Sequence, residues 1–169
     1  MKKIICLALA VIFTILCFSA CGGSEDDGGD FVYETLETEY LTFQFPKNWS
    51  FSAGKTVVIQ SKDNLRGINL YTTAYTEDFE STTADSLKAK LSAVFDEGIE
   101  LQNYQFKKDT TKGFDMFAAD FDIVSSGTEY HEIVYMAHIG SGVHMIMLYY
   151  AKDTDSTFVS KLYETLDKK

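Results

Sequence analysis

The chain has no cysteine beyond position 21. Its three cysteines are Cys6, Cys17 and Cys21, and all sit in the first eighth of 169 residues. A folded body behind that point can form no disulfide and offers no thiolate for catalysis or metal binding. Proline occurs once, at Pro46. Basic charge is also scarce, with 15 Lys and Arg against 25 Asp and Glu and a formal net charge of −10. A field of that sign, with no basic stripe, repels phosphate backbones, so nucleic acid is excluded as a partner. No G-x-S-x-G elbow occurs. The longest apolar run, Ile4–Phe18, falls short of the roughly 20 residues of a spanning helix.

What is present at the front is an export signal. Lys2 and Lys3 precede the apolar run, and the small residues Ser19 and Ala20 follow it, in the order of a secretory leader. Phe18-Ser19-Ala20-Cys21 resembles the lipobox of bacterial lipoproteins, with Phe18 where that family usually carries Leu. The resemblance implies a diacylglycerol on the Cys21 thiol, further acylation of the palmitate kind, and removal of residues 1–20. Ordinary secretory cleavage and an uncleaved anchor are the alternatives. Loss of residues 1–20 leaves 149 residues and a charge of −12, enough chain for one domain with a sizeable core. Gly22–Asp30 reads GGSEDDGGD. A segment with no large apolar residue cannot offset its ordering entropy, so it is expected to act as a tether of roughly 15–18 Å. The expected plan is a lipoprotein signal peptide over 1–20, an acidic tether and lead-in over 21–39, and a domain over 40–169. The expected location is the extracytoplasmic side of the cell membrane, held through the lipid on Cys21.

Aromatic residues make up 14% of the chain, and most fall in alternating runs, which favours a sheet-rich fold. Tyr40–Phe45 puts Leu41, Phe43 and Phe45 on one face. Pro46-Lys47-Asn48 then breaks the run and Trp49–Phe51 resumes it, a hairpin-like signal. Thr56–Gln60 and Gly67–Tyr75 read as strands. Thr82 or Thr83 can cap a helix in which Leu87, Leu91, Val94 and Phe95 form one stripe, with Gly98 at its end. Ile99–Lys107, Phe114–Val124, Thr128–Ile139 and Val143–Tyr150 read as strands, the last three as a meander. Thr157–Lys168 reads as a helix with Phe158, Leu162 and Leu166 on one side. The predicted class is α+β, an antiparallel sheet with helices packed on it.

One motif carries a second resemblance. Phe43-Gln44-Phe45-Pro46-Lys47-Asn48-Trp49 resembles the F-x-F/V/Y-P-x-x-W opening of PsbP-like domains, and the later element order fits over Tyr40–Lys169. That family includes the extrinsic photosystem subunit and many small bacterial lipoproteins. The resemblance implies an α-β-α sandwich and a binding or assembly role rather than a shared catalytic residue. It makes Phe43, Phe45, Pro46 and Trp49 structural.

Candidate chemistry is sparse. His138 and His144 face one another if Gly140-Ser141-Gly142 is a three-residue loop, but two ligands make a poor zinc site, and an edge-packed pair is the simpler reading. His131 can meet Asp122 across the Ser125-Ser126-Gly127 turn. That is half of a triad without a nucleophile, and an electrostatic cross-strand pair serves as well. Gly140-Ser141-Gly142 lacks the helix and lysine of a phosphate loop. The acids of the tether lack the spacing of a calcium loop. Tyr71, Tyr75, Tyr130, Tyr135, Tyr149 and Tyr150 suit either half-buried strand positions or a recognition surface. The expectation is therefore not an enzyme but a binding or accessory module, without cofactor or metal, whose partner is an envelope protein or a small ligand. A His/Asp hydrolase and a purely structural lipoprotein are the alternatives.

Overall fold

The computed structural model describes residues 31–74, 79–95 and 99–169. The leader, Cys21 and the tether, together with Tyr75 and Gly98, lie outside the described residues. Among the described residues, ten strands and two helices follow in the order β1 (Tyr33–Glu37), β2 (Leu41–Pro46), β3 (Ser50–Ala53), β4 (Thr56–Gln60), β5 (Arg66–Ala74), α1 (Ala84–Ser92), β6 (Gln102–Asp109), β7 (Asp115–Ser125), β8 (Thr128–Ile139), β9 (Gly142–Ala151), α2 (Thr157–Thr165) and β10 (Asp167–Lys168). Seven strands form one antiparallel sheet in the order β3-β4-β5-β9-β8-β7-β6, and β1-β2-β10 form a second. The class is α+β, as the alternating pattern predicts. Among the described residues no helix is long and apolar enough to cross a membrane.

The period-2 pattern of β7–β9 sorts side chains between the two faces of the large sheet. One face carries Met116, Ala118, Tyr135, Ile146 and Leu148, and packs with Leu41, Phe43 and Phe45 of β2 and Phe158, Leu162 and Leu166 of the α2 segment. The other carries Phe117, Ala119, Phe121, Ile123, Val134 and Met147, and packs with Leu87 and Leu91 of α1. Thr83 caps α1 by accepting from the Ser86 amide, while the Ser86 hydroxyl accepts from the Thr83 amide. Val94, expected within the helix, lies just past its end but stays buried.

Two expectations are corrected. The Tyr40–Phe45 and Trp49–Phe51 segments do not pair. β2 joins the small sheet, β3 pairs with β4, and Pro46-Lys47-Asn48 passes the chain from one sheet to the other. The pass is held by the Trp49 amide donating to Pro46 O and the Lys47 amide to Val32 O. Trp49 then packs on Phe158 with ring centroids 4.8 Å apart, a core role as the motif implies. The C-terminal helix ends at Thr165 rather than Lys168. Leu166 is already extended, and Asp167–Lys168 pair with Thr42 and Leu41 as an edge strand. Pairing satisfies β2 backbone groups that a continuing helix would leave open.

Candidate functional site

The β7–β8 turn uses two loop residues, Ser126 and Gly127, both at positive φ, with Ser125 opposite Thr128. That register places Asp122 opposite His131, as expected, and His131 opposite Tyr150 of β9. All three project from the face that bears α2. His131 Nδ1 lies 2.7 Å from Asp122 Oδ1, and His131 Nε2 lies 3.1 Å from Asp120 Oδ1. Both ring nitrogens are thus engaged by carboxylates.

Two further groups reach Asp122. Lys152, just past β9, places Nζ 3.0 Å from Asp122 Oδ2. Asn103 sits at φ 53°, where β6 shifts register against β7, and its side-chain amide donates to Asp122 Oδ2 at 2.6 Å. Such bulges re-aim a side chain out of the regular pleat. Burial alone would raise the Asp122 carboxyl, but hydrogen bonds from Asn103, His131 and Lys152 outweigh it and hold it at about 2.

A pocket of about 430 Å³ opens beside this network, between α2 and the sheet. Its walls are the rings of Tyr135, Tyr150 and Tyr163, and its rim is Ser156, Thr157, Val159 and Ser160 in the first turns of α2. Tyr163 donates to Asp109 Oδ2 at 2.6 Å, and Thr111 donates to Asp109 Oδ1 through both its amide and its hydroxyl. The Tyr163 bond is the largest cause holding Asp109 at about 2. Tyr135 is only 7% exposed. Burial, then the nearby Tyr163, Asp120 and Asp109, all push its ionisation upward. Its hydroxyl has no hydrogen-bond partner among the described residues, in a site where nearly every other polar group is paired.

The histidine pair is overturned. The β8–β9 turn holds two loop residues, Gly140 and Ser141, with Ile139 opposite Gly142. His144 therefore faces Ala137, and His138 projects from the other face. His144 is buried against Tyr40, with Nδ1 2.9 Å from the Thr72 hydroxyl and Nε2 3.3 Å from Ile139 O. Its burial lowers its pKa. The His138 ring lies 5.5 Å from that of Phe79. Gly140-Ser141-Gly142 is a hairpin turn. Among the described residues no group of three or more His, Cys, Asp or Glu could hold a metal ion.

The sequence reading missed Asp120, although its spacing of two from Asp122 puts both on one strand face. Asn103, Asp109, Lys152 and Tyr163 carried no such signal, because they enter from β6, from the segment after β9 and from α2.

No protein-family model matches the chain, and no curated protein matches it. Solved structures do. The solution structure of cyanobacterial PsbP (CyanoP) from Synechocystis sp. PCC 6803 aligns with a TM-score of 0.63 at 13% identity, over 89% of this chain and 98% of that one. A crystal structure from Bacteroides thetaiotaomicron VPI-5482 aligns with a TM-score of 0.52 at 10% identity, over 76% of this chain and 45% of that one. LpqN, involved in cell envelope biogenesis of Mycobacterium tuberculosis, aligns with a TM-score of 0.48 at 11% identity, over 83% and 92%. At such identities likeness speaks for architecture alone: this chain carries a PsbP-like α+β fold.

Proposed function

We propose that this protein is an exported, lipid-anchored binding or accessory module of the cell envelope, and that the tyrosine-walled groove beside α2 is its recognition surface. The anchor is read from the leader and the Cys21 lipobox. The observation that carries the binding role is the open groove of about 430 Å³ itself, walled by the rings of Tyr135, Tyr150 and Tyr163. Concave sites with a few convergent polar groups are where ligands bind. The His131/Asp122 pair supports this reading over a hydrolase. Its two ring nitrogens are engaged by Asp120 and Asp122, and among the described residues no hydroxyl is bonded to the ring.

Two measurements test the proposal. Intact mass of the membrane form should show residues 1–20 removed and a diacylglyceryl group on Cys21, and Cys21→Ser should release the protein from the membrane. A retained leader or a bare thiol contradicts the anchor. Crosslinking in whole cells should trap a ligand or partner on the natural chain that is lost in Ser160→Trp, which fills the groove from an exposed helix position. Equal capture by both would remove the groove from the reading.

A further inference from the structure

The lining of the groove is aromatic and uncharged, but two carboxylates at its edge hold oxygens in reserve. Asp120 stands opposite Ile133, two residues before Tyr135 on β8, and projects from the same face. It is half-exposed and spends Oδ1 on His131 Nε2, while Oδ2 has no contact among the described residues. Asp155 is exposed and directly precedes Ser156 of the rim. Its Oδ1 accepts from the Thr157 amide at 2.9 Å, and its Oδ2 likewise has no contact among the described residues.

The basic groups nearby are already engaged. Lys152 Nζ lies 3.0 Å from Asp122 Oδ2 and 3.5 Å from Glu129 Oε2. Lys112 Nζ donates to Glu164 O at 3.0 Å and stands 4.8 Å over the Tyr163 ring. One wall of the groove therefore already has an ammonium resting against it. The field inside is acidic. Burial is the largest cause that raises the ionisation of Tyr135 and Tyr150, and acids add to it: Asp120 and Asp109 at Tyr135, Asp120 and Asp122 at Tyr150. Lys152 opposes them at Tyr150 with a smaller contribution.

A primary ammonium matches this arrangement. It is a compact charge with three donors, and hydrogen bonds from it to a carboxylate are among the strong ones. A methylene stem behind the charge packs on apolar surface while the head stays at the polar edge. Val159 and the tyrosine rings offer that surface, with the carboxylates at the edge. A metal ion is served less well, since it needs more oxygens than these two acids spare. The volume lies within the roughly 300–1,000 Å³ range of small-ligand sites.

From this arrangement we infer that the groove binds a small alkylammonium compound of the polyamine class, its stem along Tyr135, Tyr150 and Val159 and its ammonium on the free oxygen of Asp120. The inference rests on the groove being the recognition surface and names the ligand class for it.

The probes are cadaverine and spermidine. Pentanediol and glutarate serve as neutral and anionic controls of similar chain length, and calcium alone as a metal control. Each is titrated into the full mature chain in neutral detergent, followed by calorimetry and saturation-transfer NMR. At least one amine should bind, more weakly as salt is added, with transfer to the stem methylenes. Asp120→Asn keeps the shape and an acceptor for His131 but removes the charge. It should weaken amine binding roughly tenfold or more, the worth of a charge-assisted hydrogen bond. Asp155→Asn, at an exposed carboxylate, should weaken it about two- to fivefold. Glu37→Gln removes the same charge outside the lining, where Glu37 pairs with Lys169, and should leave binding unchanged. The inference is overturned if neither amine binds at millimolar concentration, or if pentanediol, glutarate or calcium binds as well as the amines. It also falls if Glu37→Gln weakens binding as much as Asp120→Asn, since net charge would then explain the attraction. Should Ser160→Trp still abolish capture in cells while no amine binds, the ligand class falls and the recognition surface stands.

Discussion

The two faces of the large sheet handle buried acid in opposite ways. His131 and Glu132 are neighbours on β8 and project to opposite sides. On the α2 side, Asp122 is well buried but surrounded by Asn103, His131 and Lys152, and is held at about 2. On the α1 side, Glu132 is 8% exposed, between Phe121 and Tyr149 in its row, with no hydrogen bond or ion pair among the described residues. Burial alone pushes it up to about 8. Its neighbour Tyr149 bonds to Gln60 instead and lies so tightly over Gly67 that a Cβ there would come within 2.5 Å of the ring. Burial thus does not set the state of an acid; partners do. The α2 side has invested in partners, and it is there that the open groove lies.

The comparison makes opposite pH limbs. Glu132 stays protonated in the fold to about pH 8, whereas the unfolded chain sheds that proton above about 4.5. The fold then binds more protons in that window, and stability falls as pH rises through it, by on the order of 4 kcal/mol between pH 5 and 8. Glu132→Gln should flatten this limb in urea unfolding at the two pH values, and parallel profiles for the two proteins would break the contrast.

Asp122→Ala should cost about 2–3 kcal/mol at pH 7 by stranding its three partners. The Asp122 carboxyl is depressed, so its contribution is present above the ordinary carboxylate range and fades as pH falls toward 2. The natural chain's excess stability over the variant should therefore shrink as acid is added, read by circular dichroism.

Smaller effects test how each helix is fastened to its face. Thr165 Oγ1 accepts from the Gln44 amide at 2.9 Å and ties α2 to β2. Thr165→Val should cost about 1 kcal/mol, with faster amide exchange at Gln44. Thr83→Ala removes the α1 cap and should cost about 0.5–1 kcal/mol, with exchange rising in the first turn of α1 only. A response of both helices to either change would show one cooperative unit rather than two separately held faces.

The His131–Asp122 pairing was legible because the turn before β8 is a two-residue loop and alternation does the rest. The same two-residue geometry at Gly140-Ser141, read as three residues, slipped the register by one and wrongly placed His138 beside His144. One residue moves a strand's side chains to the other face. The small sheet was not legible: Asp167 pairs with Thr42 across most of the chain, and no local pattern encodes such a contact.

Local chemistry therefore determined the class of fold. Alternation set the strands, the Thr83 cap and Leu87/Leu91 spacing set α1, and the lone Pro46 ended β2. Those signals act within a few residues and follow from backbone sterics and burial of apolar side chains. Tertiary structure alone decided which acids acquired partners, because Asn103, Asp122, His131 and Lys152 meet only after four segments have come into register. It also decided that the rings of Tyr135 of β8 and Tyr163 of α2 would pack together beside the groove, since that depends on where a helix docks and not on what either segment prefers alone.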